Sequence, residues 1–333
     1  MSRILFIGGT GNISTYVVDL ALERGHEVTM LNRGNHAWPF AGPVTRVVAD
    51  RHDRALLAEI AARNYDVVAD FIGFTPDEAR DDVEAFSGHV GQFICISSVS
   101  AYQKPPAHYL IDESAPLRNP FWKYAQDKIA SEGIFVDAYR ATGFPVTIVR
   151  PWHTYGCTRV PTATMGAGYT AVDRLRRGHP VLCHGDGQSL WGLTWSGDIA
   201  FGIAGLFGQQ KAIGEAFHIT TEEILTWDEI LRTIARAAGG PDPEIVHLAS
   251  ETIHARYPEL GTPLLGDLAY SAVYDNSKIR RLVPDYRART TFAEGVSRSI
   301  AWMDADPSRR AVDTALNAKI DDLISIARRA AGS

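Results

Sequence analysis

Tyr124 and Lys128 stand four residues apart in Tyr124-Ala125-Gln126-Asp127-Lys128, a spacing that puts both on one face of a helix. A free tyrosine has a pKa of about 10 and is a poor general base at neutral pH. An ammonium close to the phenol stabilises the phenolate, and a three-unit shift corresponds to roughly 4 kcal/mol. A tyrosine tuned in this way removes a proton from a hydroxyl, or returns one to a carbonyl, while hydride moves. Upstream, Phe93-Ile94-Cys95-Ile96-Ser97-Ser98 runs into Val99-Ser100-Ala101-Tyr102, and Ser98 is placed to orient the reacting oxygen together with Tyr124. Each feature has a plainer origin, an exposed Tyr/Lys pair on a helix or a serine capping a turn.

A second constellation lies at the N-terminus. Gly8-Gly9-Thr10-Gly11-Asn12-Ile13-Ser14 separates a strand-like run at 4–7 from an amphipathic stretch through Tyr16, Val17, Leu20, Ala21 and Arg24. A glycine turn there lets the backbone approach a pyrophosphate at a helix N-terminus, so Gly8, Thr10, Gly11, Asn12 and Ile13 are expected to hold a dinucleotide. The third small position is Ser14, where glycine would pack a helix closest to the sheet. The second strand ends at Asn32-Arg33, with no acid for a ribose 2′-hydroxyl. Arg33 beside a neutral Asn32 favours the 2′-phosphate of NADP over NAD, unless Arg33 is a solvated loop charge. Asp50-Arg51, ending the third strand, is expected at the adenine, with a helix cap as the alternative for Asp50.

The elements that position these residues alternate. Strands are predicted at 4–7, 27–31, 46–49, 67–71, 93–97 and 146–149, with helices at 53–63, 77–86 and 121–139. Runs such as Pro145-Val146-Thr147-Ile148-Val149 suit strands buried on both faces. This pattern predicts an α/β fold, a doubly wound parallel Rossmann sheet that binds ligands beyond the carboxyl ends of its strands. After Arg150 the rhythm loosens into Gly-, Pro- and Trp-containing loops and less regular helices at 227–238 and 313–331, read as a smaller C-terminal substrate-binding lobe. The expected division is a dinucleotide-binding domain over 1–155, completed by about 193–220, with 156–192 and 221–333 forming the lobe.

Composition narrows the function classes. The 333 residues are 45% hydrophobic and 22% charged with a net charge of −6, which gives no electrostatic reason to expect nucleic-acid binding. Cys95, Cys157 and Cys183 form no CxxC pair and the eleven histidines show no HxH or HExxH spacing, so no metal site is expected and a reducing compartment fits. The N-terminal apolar run is too short for a signal peptide, and no stretch approaches the roughly 18 apolar residues of a membrane span. A soluble, cytoplasmic protein is expected.

Taken in order, these segments and Arg150-Pro151-x-x-x-Tyr155-Gly156, Gly185-Asp186-Gly187 and Asp275-Asn276-Ser277-Lys278-Ile279 cover nearly the whole chain. In them the chain resembles the extended short-chain dehydrogenase/reductase family, also called the NAD-dependent epimerase/dehydratase family. The resemblance implies a triad in which Ser98 polarises the substrate, Tyr124 is the acid/base, and Lys128 holds the nicotinamide ribose. It further implies that Phe71, Ile72 and Gly73 line the cofactor and that Pro151 to Thr154 run beside the nicotinamide. His153 is expected at the cofactor and substrate, or as a second proton carrier, with a hydrogen-bonded loop residue as the alternative. Ser100, Tyr102 and Trp191 are expected on the substrate side. The implied substrate is a sugar or nucleotide-sugar-like molecule, and a homodimer through 77–86 and the Tyr124 helix is implied as well. Many nucleotide-sugar members carry an arginine six residues after the first Gly of Gly-Asp-Gly, where this chain has Trp191, a residue that stacks or packs instead. Asp198 reads as a helix N-cap. The competing function, a non-catalytic NADP-binding regulator or RNA-associated protein, is disfavoured by the presence of Ser98, Tyr124 and Lys128.

Overall fold

The structure, a computed structural model, describes residues 1–331. Seven strands form one sheet: β1 (Arg3–Ile7), β2 (Glu27–Asn32), β3 (Thr45–Val48), β4 (Tyr65–Asp70), β5 (Val90–Ile96), β6 (Val146–Pro151) and β7 (Ala216–Ile219). They lie in the order β7-β6-β5-β4-β1-β2-β3, and every pairing is parallel. Side chains alternate across a strand, so Ile4 and Phe6 enter one apolar layer and Leu5 and Ile7 the other, all four fully buried. The first layer is covered by α1 (Ser14–Glu23) and by α6 (Ser196–Gly205), the second by α2 (Arg54–Ala61), α3 (Pro76–Phe86) and α4 (Lys123–Thr142). Because β1 pairs with β2 on one side and β4 on the other, the connections diverge there and open a crevice at the carboxyl ends.

The helix faces that matter are fixed by local chemistry. At α3, Thr75 accepts from the Glu78 N–H and the Glu78 carboxylate from the Thr75 N–H, a capping box followed by Pro76 at the first helical position. Helix α4 ends on Gly143 at φ 76°, a left-handed stop that suits glycine. Within α4, Tyr124, Lys128 and Glu132 recur every four residues and share the face turned to the sheet. Glu132 takes Arg150 Nε at 3.0 Å on one carboxylate oxygen and Nη2 at 2.5 Å on the other, and it also accepts the Ser97 hydroxyl. Arg150 Nη1 donates to the Tyr102 hydroxyl at 2.7 Å, which in turn reaches His218 Nε2 at 2.6 Å, while His218 Nδ1 lies 3.1 Å from the Asp275 carbonyl. Since the guanidinium can only donate, the Tyr102 proton goes to Nε2 and His218 carries its own on Nδ1.

A second apolar core, built around Trp152, Trp191, Trp227 and Tyr155, lies under α5 (Tyr169–Arg176), α7 (Trp227–Ala238), α8 (Phe292–Asp304) and α9 (Thr314–Ala331). Three local expectations need correcting. The six predicted strands are joined by β7, a four-residue run containing His218 that pairs with β6. Asp198 is not the cap of α6: it lies inside the first turn and accepts from the Thr290 N–H at 3.0 Å. Asp53, not Asp50, caps α2. Among the described residues no helix is long and apolar enough to cross a membrane.

Breaking a buried ion pair on one side leaves the other charge uncompensated and typically costs about 3–5 kcal/mol. Glu132→Gln is therefore expected to lower the unfolding free energy by about that amount in urea titrations, and Glu132→Leu with Arg150→Met is expected to recover part of it. A loss below about 1 kcal/mol, the range of exposed pairs, would show that Glu132 does not anchor α4.

Candidate active site

The glycine turn occupies the switch between β1 and β4. Gly8 has φ +83°, and a Cβ there would meet Ile72 Cγ2 at 2.4 Å, so only glycine leaves this part of the crevice open. Ser14 is buried within the loop: its hydroxyl donates to the Gly8 carbonyl and accepts from the Gly11 N–H, each at 2.7 Å. The serine at the third small position thus braces the turn. Helix α1 begins without a side-chain cap; the Thr15 and Tyr16 N–H groups bond back to the Gly11 and Ile13 carbonyls, while among the described residues those of Asn12, Ile13 and Ser14 have no partner. Asn12 Oδ1 is buried without a hydrogen-bond partner. Such an orphan acceptor beside uncapped N–H groups fits a bound polar group such as a dinucleotide.

Two cavities flank the turn. The smaller, of about 280 Å³, is lined by Gly8, Asn32, Arg33, His36, Asp50 and His52 among others. Arg33 is exposed, and among the described residues its guanidinium enters no hydrogen bond or ion pair. His52 lies 2.7 Å from Asp50 and 3.1 Å from Glu78, and the Asp50 hydrogen bond above all pushes its pKa up. The larger cavity, of about 630 Å³, brings Gly11, Asn12 and Ile13 together with Phe71, Ile72, Ser98, Tyr124, Lys128, Pro151, His153, Arg159, Trp191 and Asp267.

Within it, Ser98 Oγ accepts from the Ser100 N–H at 3.1 Å and the Ser100 hydroxyl at 3.0 Å. Its own proton is left for Tyr124, to which Ser98 is hydrogen-bonded. Burial pushes the Tyr124 phenol up, Ser98 draws it back, and the Asp267 carboxylate pushes it up again. Lys128 donates to the carbonyls of Gly73 and Ile96, both at 2.7 Å, and burial pushes its pKa down. Its ammonium is 4.8 Å from the Phe74 ring centre and 5.9 Å from that of Tyr124. The lowered phenol expected from the spacing is not what the protein alone presents. Desolvation governs Tyr124, and the lysine's bonds go to backbone carbonyls.

A serine–tyrosine–lysine set beside a glycine turn, on this sheet order, invites comparison with known proteins. The family model described as "NAD dependent epimerase/dehydratase family" matches residues 4–220. The chain belongs to that family. It is an enzyme of the extended short-chain dehydrogenase/reductase type, with the family's Rossmann-like fold. It is 26% identical over 264 residues to chloroplast stem-loop binding protein of 41 kDa b from Arabidopsis thaliana, covering 74% of this chain and 65% of that protein. It is also 25% identical over 289 residues to 2′-dehydrokanamycin reductase from Streptomyces kanamyceticus, covering 86% of this chain and 80% of that one. The fold resembles that of dTDP-glucose 4,6-dehydratase from Bacillus anthracis, solved with NAD, with a TM-score of 0.72, 17% identity, and coverage of 92% and 98%.

Several residues that the epimerase/dehydratase resemblance put at ligands do other work. Arg51 is 5% exposed and lines the smaller cavity, with its guanidinium committed to Asp70 at 2.7 Å and Asp82 at 2.9 Å. Tyr102 is 1% exposed and engaged by Arg150 and His218, which removes it from the substrate side. Ser100 is buried and holds Ser98. Trp191 belongs to the cavity wall but is 1% exposed, with its indole N–H donated to His153 Nδ1 at 3.1 Å. Thr10 is half-buried in the turn and Gly73 supplies a carbonyl to Lys128. Two participants were missed. Glu132 was legible as the next step of the 124, 128 spacing, whereas Asp267, ion-paired at 2.7 Å with buried Lys104, lies in a segment without any motif.

Acid should loosen this family member through its buried histidines. Burial lowers His184 from 6.5 to about 4 and His218 from 6.5 to about 3. The unfolded chain then binds more protons than the folded one below pH 6.5, so stability is full above that pH and is lost as pH falls toward the folded values. The expected slope is about 1.4 kcal/mol per pH unit for each histidine. Urea midpoints measured between pH 7.5 and pH 5 should fall accordingly, and a flat profile would contradict the neutral, buried assignment.

Proposed function

We propose that the protein transfers hydride reversibly between a nicotinamide dinucleotide, NADP in preference to NAD, and a hydroxyl or carbonyl carbon of a sugar or sugar-like substrate. The observation that carries this reading is the Ser98–Tyr124 pair opening, with Lys128, onto the same cavity as the glycine turn. When bound, the nicotinamide supplies the hydride acceptor or donor. Tyr124 holds its proton at neutral pH, raised as it is by burial, and gives that proton to a carbonyl oxygen or recovers it from a hydroxyl. Ser98 donates a hydrogen bond to the same oxygen and orients it. Lys128, fixed by two carbonyls, has a third donor for a ribose hydroxyl. Gly8, Gly11, Asn12 and Ile13 receive the pyrophosphate, and Ile72 and Phe74 flank the bound group.

NADP is favoured because Asn32 stands where an acid would take a 2′-hydroxyl, and because Arg33 and His36 are exposed at the rim of the smaller cavity. The reductase and the NAD-dependent sugar enzyme named above support a redox reaction on a carbohydrate-like molecule. We place 156–192 and 221–333 in a substrate lobe and expect a cytoplasmic homodimer joined through α3 and α4.

Tyr124→Phe is expected to cut turnover about 10²–10⁴-fold while leaving dinucleotide binding intact, as read by fluorescence titration. Arg33→Ala should weaken NADPH about tenfold and leave NADH unchanged, from loss of a charge-assisted bond of roughly 1.5 kcal/mol. Unaltered turnover in Tyr124→Phe would remove Tyr124 from the mechanism, and equal losses for both cofactors would remove the NADP preference. Net consumption of one NADPH per substrate marks a reductase, whereas turnover without net consumption marks an epimerase.

A further inference from the structure

The indole of Trp191 is held on three sides. It stacks on Trp227 with ring centres 5.5 Å apart at 28°, meets Trp152 edge-on at 5.2 Å, and directs its N–H to His153 Nδ1 at 3.1 Å. Trp227 is itself anchored, its N–H donating to the Leu268 carbonyl at 3.1 Å. Next to Trp191, a Cβ on Gly192 would lie 2.2 Å from Trp152 Cζ3, so the aromatic wall has no room to shift. On the other side, the His153 carbonyl accepts from the Thr194 N–H at 2.9 Å. The residue is thus held at its backbone carbonyl and at one ring nitrogen.

An indole nitrogen donates and never accepts. His153 Nδ1 must therefore be the bare nitrogen, and in the neutral ring the proton sits on Nε2. That atom has no partner among the described residues and is not among the buried polar atoms left unsatisfied, so it opens on the cavity that His153 lines together with Tyr124 and Ser98. We propose that Trp191 is a positioning residue that locks His153 as a neutral Nε2–H donor, making this wall a subsite for an uncharged hydroxyl or carbonyl oxygen of the substrate and not for a phosphate or carboxylate. Protonating His153 to meet an anion would set Nδ1–H against the indole N–H, two donors face to face. The charged and titratable groups on the surrounding elements are Arg159, Lys128, Tyr124 and Asp267 in the cavity walls, and His184 beyond Trp227. Of these, Arg159 further opposes a positive imidazole, and Asp267 is already paired with Lys104. Burial takes the ring down to about 4.

This subsite rests on the redox reading above, but its test does not need turnover. Histidine-¹⁵N-labelled protein, with His153 assigned by its disappearance in His153→Gln, should show a protonated Nε2 and a bare Nδ1 from pH 8 down to about pH 5. Trp191→Phe keeps the ring and removes the donor. His153 should then populate both tautomers and gain about tenfold in proton affinity, equivalent to roughly 1.4 kcal/mol. Added inorganic phosphate should leave the wild-type ring neutral and raise its proton affinity only in Trp191→Phe. A protonated Nδ1 in the wild type, or wild-type His153 charged by phosphate, would overturn the proposal, and the wild-type spectrum decides this even if Trp191→Phe fails to fold. Failure of Tyr124→Phe to lose activity would strike the redox reading alone.

Discussion

A single buried carboxylate sets the geometry of the site. Glu132 binds Arg150 through both oxygens and also accepts the Ser97 hydroxyl, under α4 and against the ends of β5 and β6. Two ions removed from water are favourable together only when nearly every donor and acceptor is matched. Here Arg150 is matched by Glu132 and Tyr102, which leaves little freedom for the helix to rotate or slide. Lys128 lies one turn before Glu132 and Tyr124 two turns before, so their position over the sheet is inherited from that pair. Ser98 follows Ser97 directly. Serine, tyrosine and lysine are therefore all referenced to one side chain that touches no reacting atom.

A similar device holds the cofactor loop after β4. Asp70 accepts the N–H groups of Ile72 and Gly73, at 2.9 and 3.0 Å, and Arg51 fixes the carboxylate from behind. A Cβ on Gly73 would meet Asp70 Oδ2 at 2.2 Å, so the tight loop requires glycine. The Gly73 carbonyl then faces Lys128, which joins it to the Ile96 carbonyl at the end of β5. Arg51 thus acts on the cofactor crevice through the loop it supports.

What was legible in the chain follows from range. The glycine turn, the four-residue Tyr/Lys spacing and the alternation of Ile4, Leu5, Phe6 and Ile7 are local patterns, and one turn or one strand fixes what they can do. Strand β7 was hidden because four residues with a histidine carry no periodic signal, and it forms only by pairing with β6. Polar partners far apart in sequence were equally hidden. Arg51 and Tyr102 read as ligand contacts from their place near strand ends, yet the carboxylates, arginine and histidine that claim them come from segments up to 116 residues away. A sequence lists donors and acceptors, but the fold decides which of them are already taken.

The same principle separates the two ends of the crevice. At the smaller cavity the side chains still uncommitted are cationic or neutral, Arg33 and His36 with the backbone of the glycine turn, which suits phosphate groups. In the inner wall of the larger cavity the polar groups are already engaged, Lys128 by carbonyls, Asp267 by Lys104 and His153 held neutral by an indole, while Arg159 is left exposed at the edge. A compensated wall binds through directed hydrogen bonds and ring faces, which discriminate among hydroxyl positions better than a charge does. On the proposed reading a dinucleotide gains most when its phosphates lie toward Arg33 and its nicotinamide toward Tyr124. Polarity along the crevice then orients the cofactor before any contact with the substrate is made.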